Sequence, residues 1–203
     1  MAVSGIILAG GRSSRMGRDK TLLPFDNETL IERTVKKLIN FTDEVIVASN
    51  STAKYNFAGI REVPDLYPGM GPLAGMHAGL LAARNQYSFI VSCDMPLFTI
   101  ELAKYLLARR EGYDVIAPEL KNCWEPLCAV YSRNCIGAME QCLQAGISKV
   151  YLFYPQVKVL KVAERELETV GNLEELFLNL NTPEDLNRLI GKEKLQQTKV
   201  MNC

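Results

Sequence analysis

Histidine is nearly missing from this chain: His77 is the only one among 203 residues. A Ser-His-Asp triad or a histidine-rich zinc site therefore has little to draw on. Net charge is missing too, because 23 Lys and Arg balance 23 Asp and Glu. That excludes the global positive field of a general nucleic-acid binder, so any basic site must be local. No apolar run approaches the roughly 20 residues of a membrane-crossing helix, and no basic segment leads an apolar one at the start. The expectation is a soluble, unexported, cytoplasmic protein without a membrane or nucleic-acid partner. The six cysteines, Cys93, Cys123, Cys128, Cys135, Cys142 and Cys203, form no C-x-x-C pair. In an unexported chain they read as small buried hydrophobes rather than disulfides or metal ligands. Two nucleotide signatures are also absent. Without G-x-x-x-x-G-K-[ST] the chain is not a P-loop NTPase, and without G-x-G-x-x-G a dinucleotide-binding dehydrogenase is poorly supported.

What is present is an alternation of strands and helices. Val3 to Leu8 is an apolar run ending in glycines, as a strand buried on both faces of a parallel sheet would be. A helical stripe follows over Glu28 to Ile39, then strands at Val45–Ala48 and Ile60–Val63. The glycine- and proline-rich segment from Tyr67 to Pro72 opens a helix whose apolar face is Leu73, Met76, Leu80 and Leu81. Ala74, Gly75, Ala78 and Gly79 would let that helix approach a neighbour closely, and His77 among them reads as a packing or surface residue. Phe89–Ser92 is a further buried strand, and Thr99 caps a helix carrying Leu102, Leu106 and Leu107. Strands are expected at Asp114–Ala117, Leu127–Tyr131, Val157–Val162 and Phe177–Leu180, with a helix through Cys135 and Leu143. Ser148–Phe153 is ambiguous between helix and strand. Thr182-Pro183-Glu184-Asp185 opens a last helix to Ile190, after which the chain is polar. One α/β domain over 1–190, with a flexible tail over 191–203, accounts for this length, its mostly parallel central sheet carrying helices on both faces.

Chemistry concentrates at strand ends. Ile6 to Lys20 reads I-I-L-A-G-G-R-S-S-R-M-G-R-D-K. Gly10 and Gly11 allow a tight turn whose successive N–H groups point at one spot, and Arg12, Arg15, Arg18 and Lys20 place positive charge around it. Asn50 with Asp65, and then Asp94 in C-D-M-P, fall at the ends of other strands. In an open α/β sheet such ends line one crevice. A nucleoside triphosphate with a metal ion fits this set. Asp94 suits magnesium, which needs one carboxylate beside phosphate oxygens and water, and Lys20 and Arg15 are the fixed cations for phosphate charge.

The string L-A-G-G-R-S-S-R-M-G-R-D-K closely resembles the signature of the molybdenum cofactor guanylyltransferases. The likeness extends to G-P-L-A-G-M at Gly71–Met76, C-D-M-P at Cys93–Pro96, E-P-L-C-A-V-Y at Glu125–Tyr131 and N-L-N-T-P-E-D-L at Asn179–Leu186. The resemblance implies a three-layer Rossmann-like nucleotidyltransferase fold. It also implies transfer of GMP from magnesium-GTP to the phosphate of molybdopterin, with release of pyrophosphate. By the same likeness, Leu8, Ala9, Gly10, Lys20, Asn50, Asp65 and Asp94 bind the nucleotide, and Asp94 holds the magnesium. Gly11 and Arg15 match the phosphate loop, Asn179 and Asn181 lie near the catalytic crevice, and Pro126 and Leu127 mark the acceptor side. Contact with other cofactor-maturation proteins is implied as well. The related cytidylyltransferases typically have L-A-A-G where this chain has Leu8-Ala9-Gly10-Gly11. Glycine at position 10 leaves room for a purine, and Asp65 can accept two hydrogen bonds from a guanine edge. Both features favour GTP. The alternatives are a cytidylyltransferase of the same cofactor, a sugar-phosphate nucleotidyltransferase, or a non-enzymatic nucleotide-binding regulatory or docking module.

Overall fold

The structure, a computed structural model, describes residues 2–10, 20–25, 28–50, 54–55, 57–180 and 185. Ten strands are present among them: β1 (Ser4–Leu8), β2 (Pro24–Phe25), β3 (Glu28–Thr29), β4 (Glu44–Ala48), β5 (Ile60–Val63), β6 (Tyr87–Ser92), β7 (Val115–Leu120), β8 (Cys123–Trp124), β9 (Cys128–Ser132) and β10 (Val159–Ala163). The helices are α1 (Leu30–Ile39), α2 (Gly71–Ala82), α3 (Ile100–Leu107), α4 (Ile136–Gln144), α5 (Glu164–Leu167) and α6 (Leu173–Leu176).

β1 is buried along its whole length. It lies between β6 and β4, both parallel to it, and β5 continues the parallel run beyond β4. The sheet order is β10-β7-β9-β6-β1-β4-β5, with β8 paired to β7 off that path. β10 is parallel to β7, whereas β9 runs antiparallel to both β6 and β7. The sheet is thus mostly parallel, as the alternation predicted, with β9 as the reversed strand. β7 turns into β8 through Lys121 and Asn122, whose φ values of 50° and 61° make a two-residue hairpin with the twist of its strands.

The pleat sends alternate residues to opposite layers. Ile7, Val45, Val47, Phe89 and Val91 pack with Leu30, Ile31, Val35 and Leu38 of α1 and with Leu102, Ala103, Leu106 and Leu107 of α3. Ile6, Leu8, Ile46, Ala48 and Ile90 pack with Leu73, Met76 and Leu80 of α2 and with Met139, Cys142 and Leu143 of α4. Three layers result, with an apolar core on each side of the sheet.

Several local expectations shift. α1 begins at Leu30 rather than Glu28, because Glu28–Thr29 pairs with β2 and Thr29 becomes the N-cap of a capping box with Glu32. Within Ser148–Phe153, Val150 onward enters a 3-10 helix over Val150–Gln156, and Ser148 and Lys149 precede it without regular structure. Phe177–Leu180 is not a strand: it follows α6 without sheet pairing and is held by the Leu180 N–H, which donates to the Asp94 carbonyl at 2.8 Å. Cys93, Cys128, Cys135 and Cys142 are free and buried as expected, but Cys123 is exposed because it lies on the β8 hairpin. His77 is a packing residue, 1% exposed. The final helix expected after Thr182 lies outside the described residues except for Asp185, which is helical. Among the described residues no helix is long and apolar enough to cross a membrane.

α2 lies unusually close to the sheet. A Cβ at Gly79 would stand 2.6 Å from Ile6 Cγ2, inside any normal contact, and Ile6 is fully buried with nowhere to move. Gly79→Ala is therefore expected to destabilise the fold by about 1–3 kcal/mol despite alanine's better helix propensity. Urea denaturation would show this as a lower midpoint at unchanged slope.

Candidate active site

The strand ends carry the site as the topology dictates. Leu8 ends β1 and pairs with Ala48 of β4 and Ser92 of β6, so the residues just past these three positions share one rim. Ala9 continues the pattern by donating its N–H to the Ala48 carbonyl at 2.9 Å, and Cys93 donates to the Leu8 carbonyl at 3.1 Å. Gly10, Asn50 and Asp94 are therefore brought level with one another from three different segments.

On the α2 side of this rim is a cavity of about 490 Å³, lined by Leu8, Gly10, Ala48, Asn50, Asp65, Gly69, Gly71, Pro72 and Gly75. A Cβ at Gly10 would lie 3.5 Å from Asn50 Nδ2 and 3.9 Å from Asp65 Oδ2. These are ordinary contact distances, so the protein itself would tolerate alanine there. What the glycine preserves is space within the cavity. Gly75 works from the opposite wall: its missing Cβ would sit 3.4 Å from Leu8 Cδ2 and 3.5 Å from Asp65 Oδ1. The helix can thereby close against the strand end while Asp65 reaches between them.

Asp65 has one uncompensated carboxylate oxygen. Its Oδ1 is buried without a hydrogen-bond partner among the described residues, and burial pushes its carboxyl above the usual carboxylate range. An acceptor left unsatisfied in a cavity wall is costly unless a ligand supplies the missing donors. Paired N–H donors on a flat heterocycle answer that need.

Asp94 belongs to the other half of the rim. Its Oδ1 accepts a hydrogen bond from Ser92 Oγ at 2.6 Å, and its backbone carbonyl accepts from Leu180. Asn179 is therefore next to it in space, half-buried. Leu127 is close as well, because its carbonyl accepts the Ser92 N–H at 2.8 Å, while the Pro126 carbonyl accepts from Tyr131 Oη at 2.7 Å. Glu125, preceding them, is half-buried, and desolvation raises its carboxyl too. Among the described residues no cluster of three or more His, Cys, Asp or Glu could hold a metal by itself. A hard cation that draws most of its oxygens from phosphate and water needs only one such carboxylate, and Asp94 meets that requirement.

The basic loop is anchored at its far end. Lys20 begins a 3-10 turn over Lys20–Leu22, and buried Thr21 shares a 2.7 Å hydrogen bond with the Tyr55 hydroxyl. Burial pushes the Tyr55 phenol up to about 12, so it stays neutral and ties the loop end to the segment after Asn50. Gly11, Arg15 and Asn181 lie outside the described residues, as does the Lys20 side chain. The predicted base-side residues thus come together, with Asp94 and the acceptor-side group across the same rim. Gly69, Gly71, Gly75 and Tyr55 are additions to the site. Gly75 carried a signal as one of the small residues opening α2, but sequence alone pointed to helix packing rather than a cavity wall.

Comparison with known proteins places the chain in a family. Residues 5–159 match the family model of the MobA-like NTP transferase domain. A protein of Pelotomaculum thermopropionicum named probable molybdenum cofactor guanylyltransferase is 44% identical over 92% of this chain and 91% of its own length. One of the same name from Carboxydothermus hydrogenoformans is 38% identical over 91% of this chain and 93% of its own. Among solved structures, molybdopterin-guanine dinucleotide biosynthesis protein A from Archaeoglobus fulgidus superposes with a TM-score of 0.78 at 25% identity, covering 91% of this chain and 95% of that one. The chain belongs to the MobA-like NTP transferase family and, within it, groups with the molybdenum cofactor guanylyltransferases.

Proposed function

We propose that this nucleotidyltransferase moves GMP from GTP to the terminal phosphate of molybdopterin and releases pyrophosphate. The observation that carries the reading is the half-buried Asp65 carboxylate, whose Oδ1 is buried without a partner among the described residues, in the wall of a cavity that Gly10 keeps open beside Asn50. Guanine presents N1–H and a 2-amino group side by side, which suits a bidentate acceptor, whereas cytosine's pairing edge offers one amino donor beside two acceptors. The acceptor phosphate is already ionised at neutral pH, so attack on the α-phosphate needs no general base. Catalysis then rests on alignment and on neutralising phosphate charge. Lys20 and Arg15 would hold the phosphates, and Asp94 would hold a magnesium ion, which when bound supplies positive charge at the phosphate oxygens. Asn179, Asn181, Pro126 and Leu127 would receive the pterin substrate.

The ionisation of Asp65 gives a pH test. Its carboxyl titrates above the unfolded value near 4, so the ionised form costs stability as pH rises through that window. A guanine that donates to the carboxylate recovers the loss. The thermal stabilisation by saturating GTP should thus grow as pH rises through the titration of Asp65, and the part due to Asp65 should vanish in Asp65→Asn. The function itself is tested by pyrophosphate release from GTP and magnesium. Release should require molybdopterin and should not occur when a sugar 1-phosphate replaces it. Release with the sugar phosphate alone would favour the sugar nucleotidyltransferase, and no release with either would favour a binding module.

A further inference from the structure

The loop between β5 and α2 carries Asp65 and Gly69 into the cavity, yet it is largely out in solvent: Pro64, Leu66, Pro68 and Gly69 are all exposed. A desolvated carboxylate is drawn toward water, so something must hold Asp65 inward. Tyr67, midway between Asp65 and Gly69, turns the other way. Its Oη donates to Glu140 Oε1 of α4 at 3.2 Å, the one side-chain hydrogen bond that residues 64–70 make among the described residues. Its ring meets the His77 ring of α2 edge to face, with centroids 5.6 Å apart and planes at 71°. The Tyr67 carbonyl accepts the Met70 N–H at 3.2 Å and closes the turn that leads into α2.

His77 completes the seat. Both ring nitrogens are buried with no hydrogen-bond partner among the described residues, so the ring packs against Tyr67 without competing for its hydroxyl. Desolvation keeps the imidazole pKa below its ordinary value, against the pull of Glu140, and at neutral pH the ring therefore stays uncharged. Glu140 is left to the phenol.

We propose that Tyr67, seated on His77 and tied to Glu140, is a positioning residue that sets guanine selectivity by fixing Asp65. This rests on the guanine reading above. Two parallel hydrogen bonds to N1–H and the 2-amino group demand a fixed carboxylate plane, whereas one bond tolerates tilt. Releasing the tether keeps the N1–H bond and forfeits the amino bond. The loss falls on discrimination between GTP and inosine triphosphate, which lacks that amino group.

The experiment measures kcat and KM for both nucleotides at saturating molybdopterin in the wild type, Tyr67→Phe, Glu140→Ala, Glu140→Gln and Asp65→Asn. With one hydrogen bond to a carboxylate removed, Tyr67→Phe should raise KM for GTP roughly fivefold, cut the preference for GTP over inosine triphosphate by about the same factor, and leave kcat within about twofold. Glu140→Ala should reproduce this, while Glu140→Gln, which still accepts a hydrogen bond, should retain most of the preference. If Asp65→Asn abolishes the preference but Tyr67→Phe and Glu140→Ala leave it at the wild-type value, even with lowered thermal stability, Tyr67 is only structural and this inference is wrong. If Asp65→Asn also leaves the preference untouched, the guanine reading fails and takes this inference with it.

Discussion

Asp94→Asn should lower kcat by about a thousandfold, or ~4 kcal/mol, while barely changing the fold. The asparagine oxygen can still accept from Ser92 Oγ, and the backbone bond from Leu180 is independent of the side chain. What disappears is the negative charge, and with it the hard oxygen ligand at the end of β6. Amides bind a doubly charged cation far less well than carboxylates do, and only one carboxylate is proposed for this ion. The check is steady-state turnover across a magnesium titration beside a denaturation curve. The apparent magnesium affinity should weaken and the curve should stay in place. Turnover within about tenfold of wild type would remove Asp94 from the metal role.

Lys20→Ala should lose about 3 kcal/mol of transition-state stabilisation, roughly 100-fold in kcat, by analogy with deleting one donor to a developing oxyanion. The substitution leaves the loop anchor in place, because the neighbouring Thr21 remains buried against the Tyr55 hydroxyl. A merely structural lysine would instead shift stability and KM with kcat preserved. Lys20→Arg should recover only part of the rate, since a planar guanidinium does not reproduce a compact ammonium at a crowded phosphate. Near-normal turnover by Lys20→Ala would refute the assignment.

Much of this architecture is legible in residue pattern. β1, β4 and β6 carry apolar runs with polar residues at their ends, the mark of a sheet covered on both faces, whereas β5 at the sheet edge reads I-R-E-V and is only partly buried. Thr99 caps α3 and Pro72 enters α2, as their residue types require. Other features depend on long-range pairing and have no local signature. Cys128–Ser132 is as apolar as its neighbours, so nothing in its composition says that it runs antiparallel. Phe177–Leu180 has strand-like residues, but it follows the short helix α6 and meets Asp94 by one backbone bond instead of a ladder. Propensity gave way there to tertiary placement.

The site divides in the same way. Gly10, Asn50 and Asp94 can be picked out because a polar or glycine residue at the end of a buried strand has few other reasons to be there, and Asp65 because it follows the end of the next parallel strand. Gly75 and Tyr67 cannot. One is a glycine in a stripe of small residues, the other an aromatic in a proline-rich loop, and each gains meaning only once α2 and α4 are set beside the strand ends. The resemblance to the guanylyltransferases joined the motifs into one order. The geometry adds a reason for Gly10: the room it leaves belongs to the cavity, since a methyl there would meet the protein only at ordinary contact distance.

The central claim is that this chain places a guanylyl group on molybdopterin, and label transfer reads that step itself. The purified protein would be incubated with magnesium, molybdopterin and each of GTP, CTP, ATP and UTP labelled at the α-phosphate, and the label would be followed into the dinucleotide product. The account predicts efficient incorporation from GTP, with the other three nucleotides far behind. Preferential incorporation from CTP would contradict the guanine assignment of Gly10 and Asp65, and no incorporation from any nucleotide would contradict the transfer itself.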